Sequence, residues 1–450
     1  MKIFVNKSLV TFLTFAFAIL VQVSYAQEST IKKLEVNGLK VIYKPSVKDL
    51  ISVRLFIEGG TANYPKEKEG IENLSLHTAV EGGTTHLAKI PFSTEAEKIG
   101  TEFNASASHD FGVIDMECIK MYWDKSWDLF ADMVQNPAFD TNEFSLIKEK
   151  LITQAQQQQA DPDTYLDILA AGNTFKGGNY AKIPSGTPES LKEISLEEAK
   201  NYYNKMLGKK SIFLVVVGNV TEQDLRAKIS ATLAKLPEGT AVVKSPRSKV
   251  NTPEVVIEDR DIATNYISGV MLAPAALDKE SIAMRVAIAI LRDRFFLELR
   301  TNRALSYAPS AYHLGNRIVD PYNVLYISTL DPKTSIHVMV DEINKIRTDG
   351  FSPKELKDKK QTFLTYYFLN LETNSAQSLG IGTQEMAGDY KLFETLTQRV
   401  NNLSLEDLNK AFKKYSTMIS WTYLGKKDMV ANEDFIQPSL IGEESLKMKK

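Results

Sequence analysis

The sequence holds a single cysteine, Cys118, in 450 residues. No internal disulfide can form, so the fold must be held by buried apolar surface. Its neighbours Met116, Glu117 and Ile119 alternate as a strand does and do not resemble a nucleophile site. Excess charge of either sign is also missing, with 54 Lys and Arg against 56 Asp and Glu. This balance speaks against a basic nucleic-acid-binding surface and against an acidic disordered chain. Glycine and proline, at 23 and 16, are too sparse for a collagenous or low-complexity chain. After the N-terminal segment, no run reaches the roughly 18 uninterrupted apolar residues that a membrane-spanning helix requires.

The first 26 residues are laid out differently from the rest. Lys2 and Lys7 precede an apolar stretch from Leu9 to Val21, and Ser24-Tyr25-Ala26 forms a small-residue exit before Gln27. This is the pattern of a signal peptide cut after Ala26, so the expected location is periplasmic or secreted, with no transmembrane segment in the mature chain.

The remaining chain is too long for one core. A polar, Pro-punctuated stretch at 237–253 reads as a linker between a domain at 27–236 and another at 254–450. The two flanking parts share a plan. Ile194-Ser195-Leu196-Glu197-Glu198 recurs as Leu403-Ser404-Leu405-Glu406-Asp407. Each is followed by a helix, then a strand (Ile212–Val217 and Ile419–Leu424), then a glycine, Gly218 or Gly425. A duplication of about 210 residues is the economical reading. Ser195 and Ser404 are the expected N-caps, with acids in the first turn.

In the first half, strands are expected within Lys33–Tyr43 around an Asn37-Gly38 hairpin turn, and at Ile51–Ile57, Phe103–Ser108 and Gly112–Ile119. Helices are expected at 70–81, 92–100, 123–134, 196–206 and 141–159, the last ending at Asp161-Pro162. The second half reads as strands at 266–272 and 324–328 and helices at 281–300, 336–347, 353–370 and 391–400. Strands and long helices without strict alternation indicate an α+β fold of two tandem homologous domains, each a mostly antiparallel sheet packed with helices.

The helix opening after Gly70 reads Ile71-Glu72-Asn73-Leu74-Ser75-Leu76-His77-Thr78-Ala79-Val80-Glu81-Gly82-Gly83-Thr84. Here the chain resembles the pitrilysin/insulinase family of zinc metallopeptidases, the inverzincins, whose helix carries His-x-x-Glu-His before a Gly-Thr. Phe103 to Asp110, Gly186-Thr187-Pro188-Glu189-Ser190-Leu191 and Val217-Gly218-Asn219 follow in family order, so the resemblance spans nearly the whole mature chain. It implies a mitochondrial processing peptidase-like fold. In the motif the two His face one side of the helix and the Glu activates a zinc-bound water. The matching positions here are Asn73, Leu76 and His77, and the family's third ligand, a Glu on a later helix, falls at Gln154. Amides are poor zinc donors beside imidazole and carboxylate, and Leu76 cannot accept a proton. No metal and no other cofactor is expected in this chain.

In the second half, Phe295-Phe296-Leu297-Glu298-Leu299-Arg300-Thr301-Asn302-Arg303-Ala304-Leu305-Ser306-Tyr307 is similar to the family's Arg and Tyr pair. By that resemblance Arg300 and Tyr307 face the scissile peptide and donate to its carbonyl oxygen as negative charge develops. Arg303 is assigned to the solvated face. The resemblance then implies a non-catalytic subunit of a heterodimeric zinc endopeptidase, lending Arg300 and Tyr307 in trans to a homologous zinc-binding partner that hydrolyses peptides or unfolded protein segments. The alternative is an inactive scaffold or peptide-binding protein of the same fold.

Overall fold

The structure, a computed structural model, describes residues 31–250 and 252–439. The stretch read as a signal peptide lies outside the described residues.

Strands β1 (Lys32–Val36), β2 (Leu39–Pro45), β3 (Leu50–Glu58), β4 (Glu102–Ala107), β5 (Phe111–Ile119) and β6 (Ile212–Gly218) form one six-stranded sheet in the order β1-β2-β6-β3-β5-β4. Strands β7 (Val255–Asp259), β8 (Asn265–Leu272), β9 (Ser310–Leu314), β10 (Tyr322–Thr329) and β11 (Ser420–Gly425) form a second, five-stranded, in the order β7-β11-β8-β10-β9. With β1 set aside, the two orders correspond strand for strand. Even the exception repeats, because β2–β6 and β7–β11 are parallel pairs in otherwise antiparallel sheets. The hairpin at Asn37-Gly38 forms as its sequence predicts, both residues taking positive φ (49° and 86°).

Helices repeat with the strands. In the first half they are α1 (Ile71–Glu81), α2 (Lys89–Lys98), α3 (Trp123–Gln135), α4 (Thr141–Ala160), α5 (Pro162–Thr174), α6 (Pro188–Lys192), α7 (Leu196–Met206) and α8 (Glu222–Ala231). In the second half they are α9 (Ser281–Phe295), α10 (Pro332–Asp349), α11 (Pro353–Asn370), α12 (Asn374–Ala387), α13 (Lys391–Asn401) and α14 (Leu405–Tyr415). Ser195 and Ser404 cap α7 and α14 through capping boxes closed by Glu198 and Asp407. Each of these helices feeds the strand that ends at Gly218 or Gly425. No helix among the described residues is long and apolar enough to cross a membrane.

Every residue of β6 is buried, which requires cover on both faces of the sheet. On one face Val53, Leu55, Ile57, Leu214 and Val216 pack with the helices of their own half. On the other, Phe56, Phe213 and Val215 meet Ile381 and Met386 of α12, which belongs to the second half. The arrangement is reciprocal, since α5 of the first half lies on β8 and β11 of the second sheet. There Asn173 donates to the carbonyl of Trp421 at 3.0 Å. Across the first sheet, Arg54 donates to Ser378 and Ser375 of α12, both at 2.9 Å.

These two crossing helices are absent from the expectations above. Asp161-Pro162 reads as the stop of α4, and it is also the start of α5, with Asp161 as N-cap and Pro162 in the first turn. α12 carries Ser, Gly and Thr at positions where a free helix would want stronger formers, because its face must lie close on a sheet. The 237–250 stretch contains no helix or strand. It is pinned to both halves, by Asn179 donating to Ser245 and by Ser248 donating to Asp320.

The close approach makes a paired prediction. A Cβ on Gly382 would stand 2.1 Å from the Phe56 ring, which is itself stacked on Phe213 at 4.9 Å and has nowhere to move. A Cβ on Gly172 of α5 would meet nothing within 4 Å. Gly172→Ala is expected to stabilise the chain by about 1 kcal/mol through helix propensity. Gly382→Ala is expected to destabilise it by about 1–3 kcal/mol through overpacking. Denaturant unfolding of the two variants checks both signs.

Candidate functional site

All of α1 is buried except His77 and Glu81, which are partly exposed. Ser75 and Thr78 return their hydroxyls to the carbonyls of Ile71 and Leu74, so the polar residues of this helix do not disturb its packing. α1, which carries Asn73, Leu76 and His77, rests on β4 and on α4, which carries Gln154. Asn73 is buried at 8% exposure, Leu76 is fully buried, and Gln154 is exposed on α4. Leu76 fills the space left by the small strand residue Gly112, where a Cβ would stand 2.9 Å from its Cδ1.

His77 is committed elsewhere. Its Nδ1 lies 2.7 Å from Glu81 Oε1, and Glu81 is bound at 2.7 and 2.8 Å by Lys150 from α4. Burial alone would raise the Glu81 carboxyl, but its bonds to His77 and Lys150 outweigh that and hold it down at about 2. The link between α1 and α4 that zinc supplies in the peptidases is thus made by an imidazole, a carboxylate and an ammonium. Among the described residues, no group of three or more His, Cys, Asp or Glu could hold a metal ion. Two amides and a hydrogen-bonded imidazole do not fit zinc. Cys118 lies buried on β5, where burial lifts its thiol to about 11, unsuited to nucleophilic work.

One turn before Leu76 lies a residue that sequence reasoning missed. Glu72 is fully buried, accepts a 2.6 Å bond from Tyr202, and leaves its Oε1 without a partner. Burial raises its carboxyl to about 7. A carboxylate in the first turn of a helix is an ordinary complement to the macrodipole, so nothing in the local sequence marks Glu72 as buried.

Arg300 and Tyr307 are brought together. After α9 the chain continues as a π-helical segment, Phe296–Asn302, and turns back through Ala304 at φ 53°. The Arg300 guanidinium is held between two rings, 4.7 Å from the centre of Phe296 and 4.1 Å from that of Tyr307. Tyr307 is 80% exposed and Phe296 45%. Glu298, the natural competitor for Arg300, pairs instead with exposed Arg303. Among the described residues no carboxylate pairs with Arg300, whose donors are open to another acceptor.

The buried carboxyl sets a pH dependence. In the unfolded chain Glu72 ionises from about 4.5, whereas in the folded chain it stays protonated to about 7. The unfolded state therefore loses a proton that the folded state keeps, and stability falls as pH rises from about 4.5 through 7. Glu72→Gln, which retains the acceptor for Tyr202, is expected to remove this slope and to stabilise the chain at pH 8 by about 2–3 kcal/mol. Urea unfolding at pH 5 and pH 8 checks it; an unchanged slope contradicts it.

Comparison with known proteins finds relatives along most of the chain. The family description "Insulinase (Peptidase family M16)" matches residues 40–184, and "Peptidase M16 inactive domain" matches 193–363. An "Uncharacterized zinc protease" of Rickettsia felis is 23% identical, covering 89% of this chain and 98% of its own. The "Non-peptidase homolog YmxG" of Helicobacter pylori is likewise 23% identical, covering 88% and 94%. More distant are the mitochondrial-processing peptidase subunit beta of Dictyostelium discoideum (21% identical, covering 83% of each chain) and subunit alpha of Solanum tuberosum (21%, covering 84% and 78%). The fold is shared with a solved peptidase M16 inactive domain from Pseudomonas fluorescens, at TM-score 0.81 and 17% identity over 89% of this chain and 98% of that one. Two tandem domains of this type, with Asn73, Leu76 and His77 where the peptidases carry His-x-x-Glu-His, place the chain in the pitrilysin/insulinase family, peptidase family M16, as a homologue that lacks the zinc motif.

Proposed function

We propose that this chain is the non-catalytic subunit of a heterodimeric zinc endopeptidase, contributing Arg300 and Tyr307 to the active site of a homologous partner that binds the zinc. The supporting observation is the division of the site within one molecule. The first half has replaced its metal ligands by a His77–Glu81–Lys150 network, while the second half displays a guanidinium and a phenol, 4.1 Å apart and open to solvent. Relatives named as the alpha and beta subunits of one processing peptidase support the idea of paired chains.

The chemistry of the pair suits the role. Guanidinium is permanently charged and phenol is a directional donor, and both would stabilise an oxyanion more than the ground-state carbonyl. The stacking on Phe296 and Tyr307 holds Arg300 oriented before substrate arrives, so little ordering is left for the transition state. Substrate in this reading is an extended peptide or unfolded segment, added as a strand to an open sheet edge. β4 in the first sheet and β9 in the second are outermost strands, as are β1 and β7 at the opposite edges. The setting is periplasmic or extracellular, and zinc belongs to the partner. A second reading, an inactive scaffold or peptide-binding protein, is favoured by the relative named a non-peptidase homolog.

Reconstitution separates the two. Co-purified with its zinc-binding partner, the chain is expected to support cleavage of a quenched peptide. Arg300→Ala is expected to lower kcat about 10²-fold and Tyr307→Phe about tenfold, with KM little changed. Unaltered kcat in both variants would rule out donation and leave the scaffold.

A further inference from the structure

The duplication gives the second half its own version of the groove that zinc occupies in the first half of the peptidases. α9 packs on the edge strand β9 and on α11, as α1 packs on β4 and α4. Between these three elements lies a cavity of about 670 Å³. Its lining includes Arg285 and Arg292 of α9, His313 of β9, and Lys359, Phe363 and Tyr366 of α11, and no aspartate or glutamate among the described residues.

The charges in it are unequally matched. Lys359 reaches Asp293 at the cavity's border, and Arg292 lies 3.8 Å from the same carboxylate. Among the described residues Arg285 has no such partner. Its guanidinium lies over the Phe363 ring, 5.6 Å from the centre, and burial, offset in part by the Tyr367 hydroxyl and reinforced by a second cation, Arg399, disfavours its charge. The charge is felt across the cavity, where burial and then Arg285 press His313 down to about 4, leaving a neutral imidazole fixed by Asn323 at 2.9 Å. In the first half the equivalent helix answers its own nitrogen base one turn later, the His77 imidazole by Glu81. In α9 the position one turn after Arg285 is Ala289.

An unpaired guanidinium beside an aromatic wall, opening next to a free strand edge, is built for an external carboxylate with an apolar neighbour. We propose that this second groove is a recognition site for an acidic peptide segment, which adds as a strand along β9 and places a carboxylate side chain on Arg285. The flanking aromatic residues, among them Tyr366 at 61% exposure, receive the segment's apolar side chains. This gives the open edge a preference for acidic sequence. The inference rests on the reading that the chain handles peptides, but not on donation by Arg300 and Tyr307.

The test is direct binding to the full chain without partner or cleavage, so its failure and the failure of the donation reading are separately visible. Fluorescence anisotropy would compare two labelled, C-terminally amidated peptides that differ only by Glu for Gln. The Glu peptide is expected to bind about tenfold tighter or more, the range of a charge-assisted hydrogen bond. Ala289→Glu supplies the missing carboxylate from within the helix, so it is expected to erase that preference and to raise the midpoint of thermal unfolding. Arg285→Gln is expected to erase the preference without the rise. Equal binding of the two peptides, or a preference that survives Ala289→Glu, overturns the site. Free succinate binding as tightly as the Glu peptide overturns the peptide as its occupant.

Discussion

A sheet whose central strand is buried along its whole length must be covered on both faces, and neither half of this chain covers both of its own. Each lends one helix to the other: α12 closes the first sheet over Phe56 and Phe213, and α5 closes the second through Asn173. The consequence is that the halves are tied by core packing as well as by the connecting stretch at 237–250. Their relative placement is therefore as firm as the interior itself. Features on opposite halves are positioned against each other without a disulfide, which the single buried cysteine could not have supplied.

Within that frame the site shows how a family fold survives the loss of its chemistry. Packing of α1 asks for apolar residues at Ile71, Leu74 and Leu76 and is indifferent to what once bound a metal. Leu76 replaces the proton acceptor and fills the space over Gly112. His77, Glu81 and Lys150 rebuild the connection between α1 and α4 with ordinary ion pairing and hydrogen bonds. The outcome is a groove that keeps its packing without the family's zinc motif. The second half carries a π-helical segment and an alanine in the left-handed region, a local strain tolerated where Arg300 and Tyr307 are displayed.

Much of this was legible from the residues. The alternation of β3 and β5, the hairpin at Asn37-Gly38, the capped helices after Ser195 and Ser404 and the repeat they mark are all local patterns, and they form where those patterns place them. The missing zinc ligands were legible because ligation demands particular side chains at particular spacing. What was hidden depends on partners distant in sequence. α5 and α12 are helices because of the sheets they cover, and Gly380, Gly382, Ser375 and Ser378 carry no helical signal of their own. The burial of Glu72 depends on Tyr202, 130 residues away. The unpaired state of Arg285 depends on which side chains of α11 and β9 close around it.

The central claim is that this polypeptide cannot hold a hydrolytic metal ion, and metal content measures it most directly. Elemental analysis of the chain purified without any partner, after equilibration with micromolar zinc and desalting, should find far less than one equivalent, with no chelator-sensitive cleavage of peptides. One zinc per chain, with peptide hydrolysis lost to chelator and restored on remetallation, would contradict the account.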